Sequence, residues 1–188
     1  MNTSQRKQVD NAVYRTTIQI GASRVRQIAW YVVNVFFFKN PLNVFSSLKV
    51  SLLRLFGARV GTGVIIKPAV NIKFPWKLQL GDHSWIGENV WIDNLGFVRI
   101  GNSVCLSQGA FLLTGNHNYK SVSFDLIVKE IVLEDGVWIG AKAVVCPGVT
   151  CGSHAVLSAG SVAAGDMEPY MIYQGNPAVI VREREISQ

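Results

Sequence analysis

Residues 133–162 read LEDGVW IGAKAV VCPGVT CGSHAV LSAGSV, five consecutive six-residue units. The first place is held by Leu, Ile, Val, Cys and Leu, the fifth by Val, Ala, Val, Ala and Ser. A strand of period two does not generate such a step. A short flat strand followed by a tight corner does. The bulky first residue then points inward, and the small fifth residue fills the space left inside. Glycine at the second place is expected to supply corner dihedrals that a side chain resists. Three such sides make a triangular coil of about 18 residues, and coils stack through parallel strand pairing around an aliphatic column. The fold expected is an all-β solenoid; a β-sandwich does not keep a six-residue step over five units. Spacing alone does not set its hand.

The register extends backwards. LGDHSW and IGENVW follow from Leu80, and IGNSVC and LSQGAF from Ile100. VGTGVI (60–65) and IKPAVN (66–71) look like the first turns. The register shifts by two residues between Ile92 and Ile100. It stops after the hexad at Leu112 and resumes near Ile131–Leu133. The intervening HNYKSVSFDLIVKE (117–130) is expected to leave the coil as a loop, and loops on rigid scaffolds commonly carry function. His117 stands at its root. A neutral imidazole is suited to taking a proton from a hydroxyl near pH 7 and returning it to a leaving group. Asn116 and Asn118 flank it, able to orient the ring, to donate to an oxyanion, or merely to form turns. His83 and His154 hold fourth places of hexads and are expected to face outward.

The chain has 188 residues, 49% hydrophobic and 16% charged, which excludes a disordered polymer. Its net charge of +6 is uneven. Residues 1–59 contain nine Lys/Arg and a single acid, Asp10, whereas residues 60–188 contain nine Lys/Arg and eleven Asp/Glu. Cys105, Cys146 and Cys151 are odd in number and sit in strand-like runs, which fits a reducing, cytoplasmic compartment. No Cys/His spacing indicates zinc. The most apolar stretch, IAWYVVNVFFF (28–38), is shorter than the roughly 20 residues that span a bilayer. Residues 10–56 read as helices, with Trp30, Val33, Phe37 and Leu48, Leu52, Leu55 at helical spacings and Pro41 between them.

The hexads, with GVWIGAKAVVCPGVTCGSHAVLSAGSV (136–162) and the closing YQGNPAVIVRER (173–184), resemble the hexapeptide-repeat acyltransferases. LLRLFGARVGTGVIIKP (52–68), FPWKLQLGDHSWIGENVWIDNL (74–95) and TGNHNYKSVSFDLIVKEIVLEDGVWIG (114–140) are most similar to the branch named for colanic acid biosynthesis. The resemblance covers about residues 28–184. It implies a left-handed parallel β-helix with a basic N-terminal helical capping region (1–57), the helix itself (58–162) with an excursion loop (114–132), and a C-terminal tail (163–188). It implies an acetyl-CoA-dependent O-acetyltransferase for a sugar hydroxyl, expected in exopolysaccharide biosynthesis, with His117 as general base. Trp138, Gly140, Ala141, Lys142, Ala159, Gly160, Arg182 and Arg184 are the expected CoA-binding residues, and Asp93, Asn94, Trp85 and Tyr119 the expected acceptor-binding ones. Many relatives place Thr-Lys before the Asp that follows the last coil. This chain has Ala164-Gly165 before Asp166, so one phosphate contact is missing. A homotrimer is implied, with the site between subunits.

The same fold serves gamma-class carbonic anhydrases, which need a closely spaced histidine pair; no second histidine lies near His117, and no metal is expected. The alternatives are a non-catalytic β-helix scaffold or regulatory subunit, or acetylation of serine or an antibiotic. The basic N-terminal region, with its aromatic residues, suits the end cap of a solenoid, and equally a peripheral contact with the inner face of the cytoplasmic membrane and lipid-linked sugars. No nucleic-acid motif accompanies the charge.

Overall fold

The computed structural model describes residues 7–16 and 18–187. Residues 1–6 and Thr17 of the expected N-terminal region, and Gln188 of the expected tail, lie outside the described residues. The hexads form a left-handed parallel β-helix. Its first coil contains β1 (Arg59–Val60), β2 (Ile65–Ile66) and β3 (Asn71–Ile72); its second β4 (Leu78–Leu80), β5 (Trp85–Ile86) and β6 (Trp91–Asp93). The third holds β7 (Val98–Ile100), β8 (Cys105–Leu106) and β9 (Phe111–Leu113). A hairpin follows, β10 (Gly115–His117) and β11 (Leu126–Val128). The coil then resumes with β12 (Ile131–Leu133), β13 (Trp138–Ile139) and β14 (Val144–Val145), and continues with β15 (Thr150–Cys151), β16 (Val156–Leu157) and β17 (Val162–Ala163). Face A stacks β1, β4, β7, β12 and β15; face B β2, β5, β8, β13 and β16; face C β3, β6, β9, β14 and β17, all pairs parallel. The chain closes with β18 (Met171–Gly175), parallel to β16, and β19 (Ala178–Glu183), antiparallel to β18.

The inward positions are those the pattern designates. First-place Ile86, Leu106, Ile139 and Leu157 have no exposed surface, and neither do fifth-place Val90, Ala110, Val137 and Ala155. Each fully buried Leu or Ile stabilises by about 1.5–3 kcal/mol.

Two expectations need correction. The second-place glycine does not supply the corner dihedral. The fourth place does: Gly63, Ala69, His83, Asn89, Ser103, Gly109, Gly136, Lys142, Gly148, His154 and Gly160 all have φ between 53° and 88°. Glycine stands second because the next coil leaves no room. A Cβ at Gly140 would lie 2.5 Å from the Ala159 nitrogen and 2.7 Å from the Leu157 carbonyl. Coil length also differs. Strand partners in the early coils are 20 residues apart, as in Arg59 with Gln79; only late pairs such as Val132 with Thr150 show 18. The extra residues all fall where face C turns into face A. There Asn94 is wholly buried and donates to the Phe74 and Lys77 carbonyls while accepting from the Phe74 N–H at 2.9 Å. Thr114, one coil on, is also buried and ties Asp93 to Gly96. These clamps satisfy backbone groups that the widened corner leaves without ladder partners.

The N-terminal region packs on the first coil through α1 (Arg24–Val33), a π turn (Asn34–Phe38) and α2 (Ser46–Leu55). The described residues among 10–23, expected helical, are not, apart from one 3₁₀ turn (Asn11–Val13). The buried face is Trp30, Asn34 and Phe38, not Phe37. The wide π turn advances less per residue than an α-turn and brings Phe38 back under Trp30, whose ring lies 5.1 Å away. Leu48 and Leu55, expected inward, are exposed; α2 buries Leu53 and the wholly covered Lys49, whose Nζ donates to the Asn43 and Lys67 carbonyls. No helix among the described residues is long and apolar enough to cross a membrane.

Candidate active site

The insert is a β-hairpin rather than an irregular loop, and His117 ends its first strand opposite Leu126. Phe124 holds the ring. Its backbone sits at φ 49°, a left-handed conformation uncommon for a bulky residue. That reversal places its carbonyl 2.8 Å from Nδ1 of His117 and its ring 4.3 Å from the imidazole, stacked at 6°. A carbonyl only accepts, so Nδ1 carries the proton and the neutral ring keeps its lone pair at Nε2. Behind Phe124, Ser123 Oγ donates to Asp125 at 2.6 Å, and the Asn118 N–H donates to the Asp125 carbonyl at 2.7 Å. Tyr14 approaches the imidazole at 6.0 Å. Phe124, the ring-orienting residue, is one the sequence did not reveal. Asn116 and Asn118 do not orient the ring: their side-chain oxygens accept the backbone N–H groups of His117 and Lys120.

Face B carries a cavity of about 540 Å³. It gathers six of the expected CoA residues, Trp138, Gly140, Ala141, Ala159, Arg182 and Arg184, together with Ser107, Gln108, Val156, Leu157, Ser158 and Ile172. Lys142 and Gly160 fall outside its lining. Leu106, Ile139 and Leu157 are in register, so the residues after them, Ser107, Gly140 and Ser158, share one column. Aligning hexads would have shown that. Trp138 Nε1 donates to Ser107 Oγ at 2.9 Å, which fixes the indole as a wall. Arg184 is partly committed to structure, its Nη1 donating to the Gly136 and His154 carbonyls. His83 and His154 hold corner positions, as expected; His154 stacks on Tyr170.

The expected acceptor residues separate. Asp93 pairs with Lys73 at 2.8 Å and lines a cavity of about 360 Å³ with Trp91, Tyr31 and Lys39. Tyr119 lies exposed on the hairpin. Trp85 is on face B, in a cavity that adjoins the first through shared Ser107 and Gln108. Asn94 is withdrawn from ligand contact by its burial. The thiols are unsuited to nucleophilic work. Burial pushes Cys105 and Cys146 up, and pushes Cys151 up to about 12 with Asp166 adding to it.

No family model matches the chain. Against individual proteins it is 37% identical, over 87% of its length and 90% of the relative's, to the "Putative colanic acid biosynthesis acetyltransferase WcaF" of Escherichia coli strain K12. It is 29% identical to the galactoside O-acetyltransferase of the same strain, over 71% of this chain and 67% of that one. Among solved structures, a hexapeptide-repeat acetyltransferase of Vibrio cholerae complexed with acetyl coenzyme A superposes with a TM-score of 0.77 and 26% identity, covering 88% of this chain and 92% of that one. The chain belongs to the hexapeptide-repeat acetyltransferases, in the branch named for colanic acid biosynthesis.

Proposed function

We propose that this acetyltransferase moves an acetyl group from acetyl-CoA to a sugar hydroxyl in exopolysaccharide biosynthesis, with His117 as general base and the site shared between subunits of a homotrimer. The observation that carries this reading is the His117–Phe124 arrangement, an imidazole held through Nδ1 by the Phe124 carbonyl and by ring stacking, which leaves Nε2 for the acceptor hydroxyl. Nε2 accepts the hydroxyl proton as the oxygen attacks the thioester carbonyl. The tetrahedral intermediate collapses, the C–S bond breaks, and the imidazolium returns the proton to the CoA sulfur. The Phe124 carbonyl stabilises the imidazolium in between. The side-chain amide nitrogens of the exposed Asn116 and Asn118 are the candidates for the oxyanion.

The face B cavity fits the donor. Its small residues Gly140, Ala141 and Ala159 admit a thin pantetheine chain, and Arg182 and Arg184 offer charge to phosphates. Lys142 stands one residue beyond Ala141 as a further cation. His117, on the edge between faces C and A, does not share an edge with this cavity, so a three-fold assembly supports their meeting across a subunit boundary. Asp93 and Tyr119 would then come from one chain and Trp85 from its neighbour. The basic N-terminal region suits a peripheral membrane contact near lipid-linked acceptors.

Thiol release from acetyl-CoA, measured against sugar and lipid-linked acceptors, tests the reading. His117→Ala is expected to lower turnover about 10²–10⁴-fold while CoA still raises the melting temperature. Undiminished transfer by the variant would overturn it.

A further inference from the structure

Helix α1 is apolar on two opposite sides. Trp30, Asn34 and Phe38 face the solenoid and are buried. Val25, Ile28, Val32 and Phe36 form a second stripe on the far side, with Ile28 66% and Phe36 63% exposed. A surface helix of a water-soluble fold places polar residues there. The stripe continues into the connection to α2, where Leu42 is 85% and Phe45 66% exposed. Contiguous exposed apolar surface of this kind marks a contact with something other than water.

Charge indicates what covers it. Residues 11–81 hold ten Lys/Arg and no Asp or Glu. Of these cations, Lys49 and Lys77 are consumed inside the fold and Arg54 binds the Val60 and Gly61 carbonyls, but Arg24 at the start of α1 and Lys39 just after the π turn are exposed. A second copy docking here face to face would set Arg24 and Lys39 against the same cations, and Asp93, the carboxylate bordering this surface, is already paired with Lys73. An anionic bilayer supplies an apolar interior and a uniformly negative rim together. We infer that the outer stripe of α1 and the Leu42–Phe45 connection lie in the interface of a membrane containing acidic phospholipids, with the helix in the membrane plane. Tyr31 and Lys39 also border the cavity that holds Asp93, so this placement opens that cavity toward the bilayer surface.

The inference stands apart from the acetyl-transfer reading, and cosedimentation of the full chain with vesicles tests it. Vesicles of phosphatidylcholine with about 30% phosphatidylglycerol are expected to bind the protein about tenfold more strongly than phosphatidylcholine alone, with the excess lost at high salt. The double variant Ile28→Ser, Phe36→Ser should bind about tenfold more weakly, with its melting curve, oligomeric mass and CoA-induced thermal shift unchanged. Absence of wild-type cosedimentation, or equal binding by the variant, would overturn the inference. A lower oligomeric mass for the variant would overturn it too, by assigning the stripe to a second copy. An intact CoA shift in any of these cases leaves the enzymatic reading standing.

Discussion

Where face B turns into face C, six residues separate one inward residue from the next in every coil, as from Ile139 to Val145. Where face C turns into face A, the step is eight from Ile72 to Leu80, eight again from Ile92 to Ile100, twenty-one from Leu112 to Leu133, and six from Val145 to Cys151. The constant edge aligns equivalent atoms of successive coils, so Ser107, Gly140 and Ser158 make a straight wall suited to a long, thin ligand. The variable edge is held by Asn94 and Thr114, buried clamps that tolerate added chain. It is the edge on which a hairpin grew, and the hairpin carries the imidazole. Repetition builds the proposed binding surface and interruption the proposed chemistry.

Removing the interruption is the severest way to test this contrast. Deleting residues 116–128 would return the third step to eight, the length of the two before it. The shortened chain is expected to fold and to keep its CoA-induced thermal shift, while acetyl transfer drops by about the 10²–10⁴-fold assigned to the base. Loss of the fold would show that the variable edge is less tolerant than its neighbours imply. Next comes the shared core. Ile139→Ala should lower unfolding free energy by about 2–5 kcal/mol in chemical denaturation, since the column is fully packed there. Asn94→Ala, which strands the Phe74 and Lys77 carbonyls, should lower it by about 1–3 kcal/mol. An equal effect of both would erase the distinction between packed column and clamped edge. The smallest effect concerns the corners. Ala69 holds φ 58°, and Ala69→Gly should raise stability by up to about 1 kcal/mol.

The constant edge was legible because each inward residue recurs at a fixed step, and the cavity residues Trp138, Gly140, Ala141 and Ala159 fall in that frame. The place of the break was legible for the same reason. Its contents were not. Nothing local announces that Phe124 adopts positive φ and turns its carbonyl onto His117; that contact depends on the pairing of two strands across seven residues. The resemblance implied an acceptor-binding role for Asn94, yet the widened corner requires its amide for backbone groups. Phe37 was misplaced because helical spacing assumes 3.6 residues per turn, and the chain forms a π turn there.

Coexpressed chains of two kinds test the central claim, that the imidazole of one chain serves the groove of another. One kind carries His117→Ala and keeps its groove; the other keeps His117 and carries Ala159→Trp, which fills the cavity from an exposed position. Each is expected to be inactive alone. If the proposed trimer forms and the chains mix at random, every mixed assembly has one intact pair, so acetyl transfer should recover to about a quarter of the wild-type rate. Mixtures as inactive as their parents would contradict the account.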